Sequence, residues 1–440
     1  MAGDEAEVDR TATFRDVFAV GEYRALFTAN ALSWAGDYLA KAAVSALVYE
    51  RTNSAALSAA TFALSYLPWL VGGPVLSALA DRFPYRKVMI VCDLLRMVTI
   101  GVVALPGVPV EAMLVMLFLT SLANPPAQAA RSALLPMILD RQKLVVGIAL
   151  NSTSSQVAQL CGYLAGGALA PFAPRAAIAV DAATFGLSAL LIWRGVRRRP
   201  AHDRTVRRHL LRETGEGFRL VFGTPVLRAI ALLVFATAMF SIVPEGLAAA
   251  WAAEIADGDA SRGINQGLIM VAAPAGFILG SLTVARAVRP SVRERLVPVF
   301  GVLAAASLTP ALATPSVGWV LVLSALSGFA TAGLLPTANG LFVQALPDGY
   351  RARAFGVMQT GLQVFQGVGV LVTGVLADLY PLPKVVGLWS LGGVGLMLII
   401  AATWPTRAQF RRATASVSVV RETGHAPAEP AGRRPRAVAA

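Results

Sequence analysis

The chain has 440 residues, of which 56% are hydrophobic and only 14% charged, a balance that excludes an ordinary soluble enzyme and points to a bilayer as the solvent. About 246 apolar residues suffice for about 12 helical crossings of roughly 20 residues, leaving little for a soluble domain. A formal charge of +13 would suggest nucleic acid in a soluble protein, but here the basic residues fall at the ends of apolar segments, where they orient spans.

Apolar runs read against charged punctuation predict an all-α membrane protein with twelve transmembrane helices, roughly over 25–49, 57–80, 88–106, 110–134, 143–170, 174–194, 226–250, 263–286, 296–314, 316–346, 354–379 and 384–404. With residues 1–24 placed in the cytoplasm, 32 of the 38 Lys and Arg fall in cytoplasmic connections and tails, while Arg51, Arg175, Arg262 and Lys384 remain outside. That asymmetry predicts that both termini are cytoplasmic. The longest connection, 195–225, divides the spans six and six and carries Arg197, Arg198 and Arg199 followed by Arg207, Arg208 and Arg212. It reads as a basic linker with an amphipathic stretch attracted to anionic lipid. Residues 405–440 are polar and Pro-rich, and read as a disordered cytoplasmic tail.

A repeat supports the division into an N-terminal bundle (25–194) and a C-terminal bundle (226–404). Gly72 and Gly280 are 208 residues apart, Gly147 and Gly356 209, Gly166 and Gly374 208, and Pro136 and Pro347 211. Four anchors spaced 208 to 211 residues apart suggest two related six-helix bundles.

Ionisable residues at membrane depth are costly, so each is a candidate for function. Asp37 and Lys41 lie four apart on one face of the first span. Asp181 lies about two turns inside the sixth span, and Glu245 follows Pro244 at comparable depth in the seventh, which places both toward one outer-half cavity. Acids so placed can pick up and release protons, making all four residues proton-coupling or substrate candidates. Asp93 and Arg96, three apart on the third span, read as an intramembrane charge pair. Trp34, Tyr66, Trp69, Phe240 and Trp251 are candidates for lining a cavity around an aromatic or amphipathic ligand.

The stretch LADRFPYRKV after the second span resembles the loop signature of the major facilitator superfamily, with Asp81, Arg82 and Arg86 matching and Ser77, Pro84 and Tyr85 departing from it. The segments SWAGDYLAKAAVSALVYERTNS, CDLLR and NPPAQAARSALLP are similar to the macrolide-efflux branch of the drug:proton antiporters, and the similarity runs from about residue 14 to 404. GYLAGG, with Gly162, Gly166 and Gly167, resembles the antiporter signature of the fifth span, although Tyr163 replaces its Pro. Small residues there let the helix approach a neighbour closely.

The resemblance implies the major facilitator fold and alternating access, with Asp81, Arg82 and Arg86 as a cytoplasmic gate. It implies export of a hydrophobic or amphipathic small molecule, such as an antibiotic, in exchange for protons across a bacterial inner membrane. An importer or a lipid or siderophore carrier of the same fold is the first alternative, and a non-transporting membrane sensor or assembly partner the second. An enzyme is not expected. The chain has no phosphate-cradling Gly-Lys-Ser/Thr loop, its three His form no cluster, and Cys92 and Cys161 lie in separate apolar segments. No cofactor, metal or nucleic acid is implied, and a monomer is expected.

Overall fold

The computed structural model describes residues 13–70, 82–199, 210–256, 258–313, 316–347, 350–406 and 409–410. Among the described residues every regular element is a helix. The first half holds α1 (Phe14–Phe18), α2 (Gly21–Thr52), α3 (Ala55–Tyr66), α4 (Tyr85–Ala104), α5 (Val110–Leu122), α6 (Asn124–Ile138), α7 (Arg141–Leu169) and α8 (Pro174–Gly195). The second half holds α9 (Leu210–Gly223), α10 (Pro225–Ser241), α11 (Val243–Gly246), α12 (Ala248–Ile255), α13 (Asp259–Ala287), α14 (Pro290–Ala306), a 3-10 turn (Thr309–Ala313), α15 (Val317–Gln344), α16 (Arg351–Leu379) and α17 (Leu382–Ala402).

By length and composition, eight helical stretches among the described residues can cross a membrane. Two lie in the first half, Val110–Ile138 and Pro174–Gly195, and six in the second. Part of the imbalance reflects chemistry, and part reflects Ala55–Leu70, an apolar helix whose following residues, 71–81, lie outside those described. α2 carries Asp37 and Lys41, α4 carries Asp93 and Arg96, and α7 carries the polar run Asn151–Gln156, so these helices are as long as a span but less apolar. Large apolar side chains such as Leu95, Val98, Leu187, Val375, Leu388 and Ile399 stay exposed on the outer faces, as an apolar surrounding requires.

The helices follow the expected segments to within a few residues at most ends. Several break internally, among them the ninth, where α14 ends before the 3-10 turn. Ala123 separates α5 from α6, where Pro125 and Pro126 open the new helix, and Pro244 interrupts the seventh segment across α11. The amphipathic part of the linker is α9, which packs against α10 and α16 and pairs Glu216 with Arg353 at 2.8 Å. It is therefore docked on the second half along part of its length rather than a free tether. At the start of the linker, Arg199 grips Glu22 through both carboxylate oxygens, at 2.9 and 2.8 Å. Burial works against the Glu22 charge, but the bonds from Arg199 and from the Arg197 N–H outweigh it and hold the carboxyl below its ordinary value. Residues 411–440, which include most of the expected tail, lie outside the described residues.

Helices pack mainly within their own half: α2 against α7 and α8, α4 against α8, α13 against α15, and α10 against α16. The halves meet through α3 on α16 and α7 on α13. These seams run toward the end of the molecule remote from the linker, called here the far end. Gly167 is part of the reason: a Cβ there would stand 2.6 Å from the Gly267 Cα and 2.7 Å from the Gly263 carbonyl oxygen, so only glycine admits this approach. Asn53, in the left-handed conformation at φ 48, turns the chain from α2 into α3 and leaves Ser54 as the N-cap. Asp378 at the end of α16 then closes the seam, accepting from the Ser54 hydroxyl at 2.7 Å and from the Ala55 and Ala56 N–H groups at 2.6 and 3.3 Å. A carboxylate of one half thus satisfies the unpaired donors at the helix start of the other. Gln266, buried on α13, adds a second tie by donating to the Ala42 carbonyl at 2.8 Å and the Ser45 hydroxyl at 3.1 Å.

Candidate functional site

The polar residues of the first half converge on a cavity of about 160 Å³ between the halves. α2 contributes Ser33, Trp34, Asp37, Tyr38 and Lys41, α3 and the residues after it Ser65, Tyr66 and Trp69, and α6 Asn124, Gln128 and Arg131. Arg96 comes from α4, and Gln363 of α16 faces them from the second half. The spacing within α2 and α6 explains the convergence. Trp34, Tyr38 and Lys41 recur at helical intervals, as do Asn124, Gln128 and Arg131, so each helix turns one polar stripe inward.

Arg96 is the hub of the charges. Its guanidinium donates to Asp93 in a short bond and to the Asn124 side chain at 3.1 Å, reaches Asp37 at 3.9 Å, and lies over the Phe185 ring at 4.5 Å. Asp93 accepts a further bond from Ser188 at 2.7 Å. Both members of the expected Asp93–Arg96 pair are buried, and the pair extends further than expected, to Asn124 and Asp37. Such a buried pair is sustained only because its remaining donors and acceptors find partners.

Asp37 pairs with Arg96, whereas Lys41 faces the rings of Tyr38 and Tyr66, at 5.2 and 5.5 Å from their centroids. Asp181 is almost wholly buried against α2, where Gly36 leaves room for its carboxylate, and it accepts from Thr184 at 3.4 Å. It lines a second small cavity with Asp37, Lys41, Thr61 and Ser65. Glu245 is absent from that lining; its carboxylate accepts from the Tyr163 hydroxyl at 3.3 Å, a bond between α11 and α7 that joins the two halves. Asp181 and Glu245 therefore do not share the lining of that cavity. The helix break at Pro244 aims Glu245 at α7, while Asp181 packs on α2.

Of the aromatic candidates, Trp34, Tyr66 and Trp69 line the cavity. Phe240 instead packs on Trp389 at 5.3 Å, and Trp251 is 1% exposed in the apolar core. Gly162 and Gly166, four apart, press on α2 at Tyr38, Leu39 and Ala42, whereas Gly167 turns to the other half. Of the loop motif, Asp81 lies outside the described residues, Arg82 is exposed in a turn, and Arg86 donates to the Trp193 carbonyl near the end of α8. Sequence reasoning passed over Arg131, Asn124 and Gln128, although their i, i+4, i+7 recurrence was a readable signal. It also passed over Tyr163, Gln266 and Asp378, which gain significance only through partners 82 to 324 residues away.

A model described as Major Facilitator Superfamily matches residues 26–255 and 247–436. Multidrug efflux pump Tap of Mycolicibacterium fortuitum is 27% identical over 344 residues, covering 74% of this chain and 82% of that protein. Macrolide efflux protein A of Streptococcus pyogenes is 22% identical over 405 residues, covering 89% and 97%. Among solved structures, the nucleoside transporter NupG shares the fold with a TM-score of 0.69 at 12% identity, covering 88% of this chain and all of that one. A bacterial homolog of the human lysosomal transporter Spinster, in an inward-facing conformation, shares it with a TM-score of 0.62 at 15% identity, over 90% and 98%. With family matches across nearly the whole length and a charged cavity between two halves of helices, the chain belongs to the Major Facilitator Superfamily and is a multi-pass membrane transporter, not an enzyme.

Proposed function

We propose that this transporter exports amphipathic small molecules by alternating access, in exchange for protons. Its twelve spans form two six-helix bundles that rock about the central cavity, and both termini face the cytoplasm. It acts as a monomer in a bacterial inner membrane. In that orientation the far end is the outer face, and the seams at Gly167, Gln266 and Asp378 hold it closed.

The observation that carries the reading is the placement of ionisable groups between the halves: Asp37 faces the cavity while Glu245 bonds across to Tyr163. A carboxylate that gains or loses a proton at such a contact changes the balance between two arrangements of the halves. The two efflux pumps among its relatives support the direction. Asp37 and Glu245 exchange protons with substrate, Lys41 and Asp181 set the field around them, and Asp81, Arg82 and Arg86 stabilise the state closed to the cytoplasm. One proton moving down 100 mV supplies about 2.3 kcal/mol, a concentration ratio of about 50.

The test is accumulation of a chemically diverse compound panel in an efflux-deficient bacterium expressing the protein, with and without a protonophore. Expression should lower accumulation of some compounds, and the protonophore should abolish the difference. Asp37→Asn and Glu245→Gln should each reduce export at least about tenfold at normal expression. Export that survives both substitutions together and the protonophore would remove proton coupling from the account.

A further inference from the structure

We propose that the cavity recognises an anionic group on its substrate, a carboxylate or an ionised phenol or enol, held between Lys41 and Arg131. The inference deepens the export reading and rests on it only for the direction of movement.

The cavity wall is unbalanced in charge. Lys41, Arg96 and Arg131 face it, and Asp37 is the only acid among its described lining residues. That acid is already beside Arg96, at 3.9 Å. The other acids of the cluster are not in that lining: Asp93 is buried behind Arg96, Asp181 lines the adjoining cavity on the far side of Asp37 and Lys41, and Glu245 is bonded to Tyr163. Among the described residues neither Lys41 nor Arg131 has a carboxylate within ion-pair distance. Lys41 contacts the rings of Tyr38 and Tyr66, and Arg131 the Trp34 ring at 5.6 Å and the Gln128 side chain at 3.1 Å. The Arg96 and Arg131 Nε atoms and the Ser33 hydroxyl are buried without a hydrogen-bond partner, and Ser33 is 2% exposed. Donors therefore exceed acceptors on the wall, and a ligand rich in acceptors meets the deficit.

The rings point the same way. Trp34, Tyr38 and Tyr66 would attract a lipophilic cation through their electron-rich faces. Those faces are already occupied by Arg131 and Lys41. A cationic ligand would have to displace one protein cation while approaching the others, whereas an anion completes the arrangement and leaves Trp69 for an apolar or aromatic body. Trp34 and Lys41 are seven residues apart on α2, about 10 Å along the axis. The Lys41 and Arg131 side chains reach from these two positions into the same cavity, so one anionic group can lie between their cationic ends. Given the proposed direction, the interior-negative membrane potential would itself favour exit of the anion.

Binding to purified protein in detergent, without any gradient, separates this proposal from proton-driven export. The probes are 2-naphthoate, its methyl ester and 2-naphthylmethylammonium, compared by equilibrium dialysis. The acid should bind about tenfold or more tightly than the ester, with the ammonium weakest. Lys41→Gln and Arg131→Gln should each erase the preference for acid over ester, and Lys41→Arg and Arg131→Lys should retain it. If Lys41→Gln fails to give a monodisperse protein, the two Arg131 variants decide alone. Equal binding of acid and ester, tighter binding of the ammonium, binding of none of the three, or a preference that survives the Gln variants would each overturn the proposal. Gradient-driven export could fail in cells without altering this result.

Discussion

At the scale of single residues, the energetics of the site depend on Arg96. It is 3% exposed and holds Asp93, Asn124 and Asp37 together. Removing one member of a buried ion pair strands the other charge, which costs about 3 to 5 kcal/mol, whereas replacing both with apolar groups of similar size is close to neutral. Asp93→Asn should therefore lower the thermal unfolding midpoint in detergent by several degrees. The double variant Asp93→Leu with Arg96→Met should recover part of that loss while abolishing transport, because Arg96 also meets Asp37 in the cavity. A double variant no more stable than Asp93→Asn alone would contradict this account.

At the scale of elements, one short motif on α7 has two separate duties. Gly162 and Gly166 lie against α2, inside one half, and Gly167 lies against α13 of the other. Packing within a half persists through rocking, whereas packing between halves does not. Gly162→Val should therefore reduce stability and yield, since a Cβ there already meets the Tyr38 Cβ at 2.6 Å. Gly167→Val should leave the fold intact and favour the state open at the far end. The measurement is labelling of Ala59→Cys by a membrane-impermeant thiol reagent, with Cys161 replaced by Ser. Ala59 is fully buried beside Gly374 in the α3–α16 seam. Labelling should rise several-fold with Gly167→Val and stay low with Gly162→Val.

At the scale of the whole molecule, the far end is closed, among the described residues, by polar ties from Asp378 to the start of α3 and from Gln266 to α2, beside the glycine seam. Each tie exists only when the halves touch, so each biases the two-state equilibrium by its own free energy, about 1 to 2 kcal/mol. Asp378→Ala or Gln266→Leu should raise Ala59→Cys labelling about five- to thirtyfold, and together they should act nearly additively, because they sit on different seams. Unchanged labelling in the double variant would show that apolar packing alone keeps that end shut.

Much of the architecture was legible in the sequence because solvent dictates it. Apolar runs, the basic linker and the spacing of the repeat reflect residue type and distance along the chain, so the helices appear close to where they were expected. The stripe of Asn124, Gln128 and Arg131 was also available from helical periodicity, although Arg131 reads as a loop charge when only span ends are counted. What one chain cannot display is which faces meet. Asp37 and Lys41 share a face four residues apart, yet Asp37 pairs with Arg96 and Lys41 turns to tyrosine rings, because a charge follows its nearest unpaired partner in space. Glu245 reaches Tyr163 of the other half because the break at Pro244 redirects it. Segment identity follows from the preference of each side chain for lipid or water, a local property. The pairing of charges, the closure of one end and the charge of the cavity wall depend on contacts between distant helices, and only the packed molecule decides them.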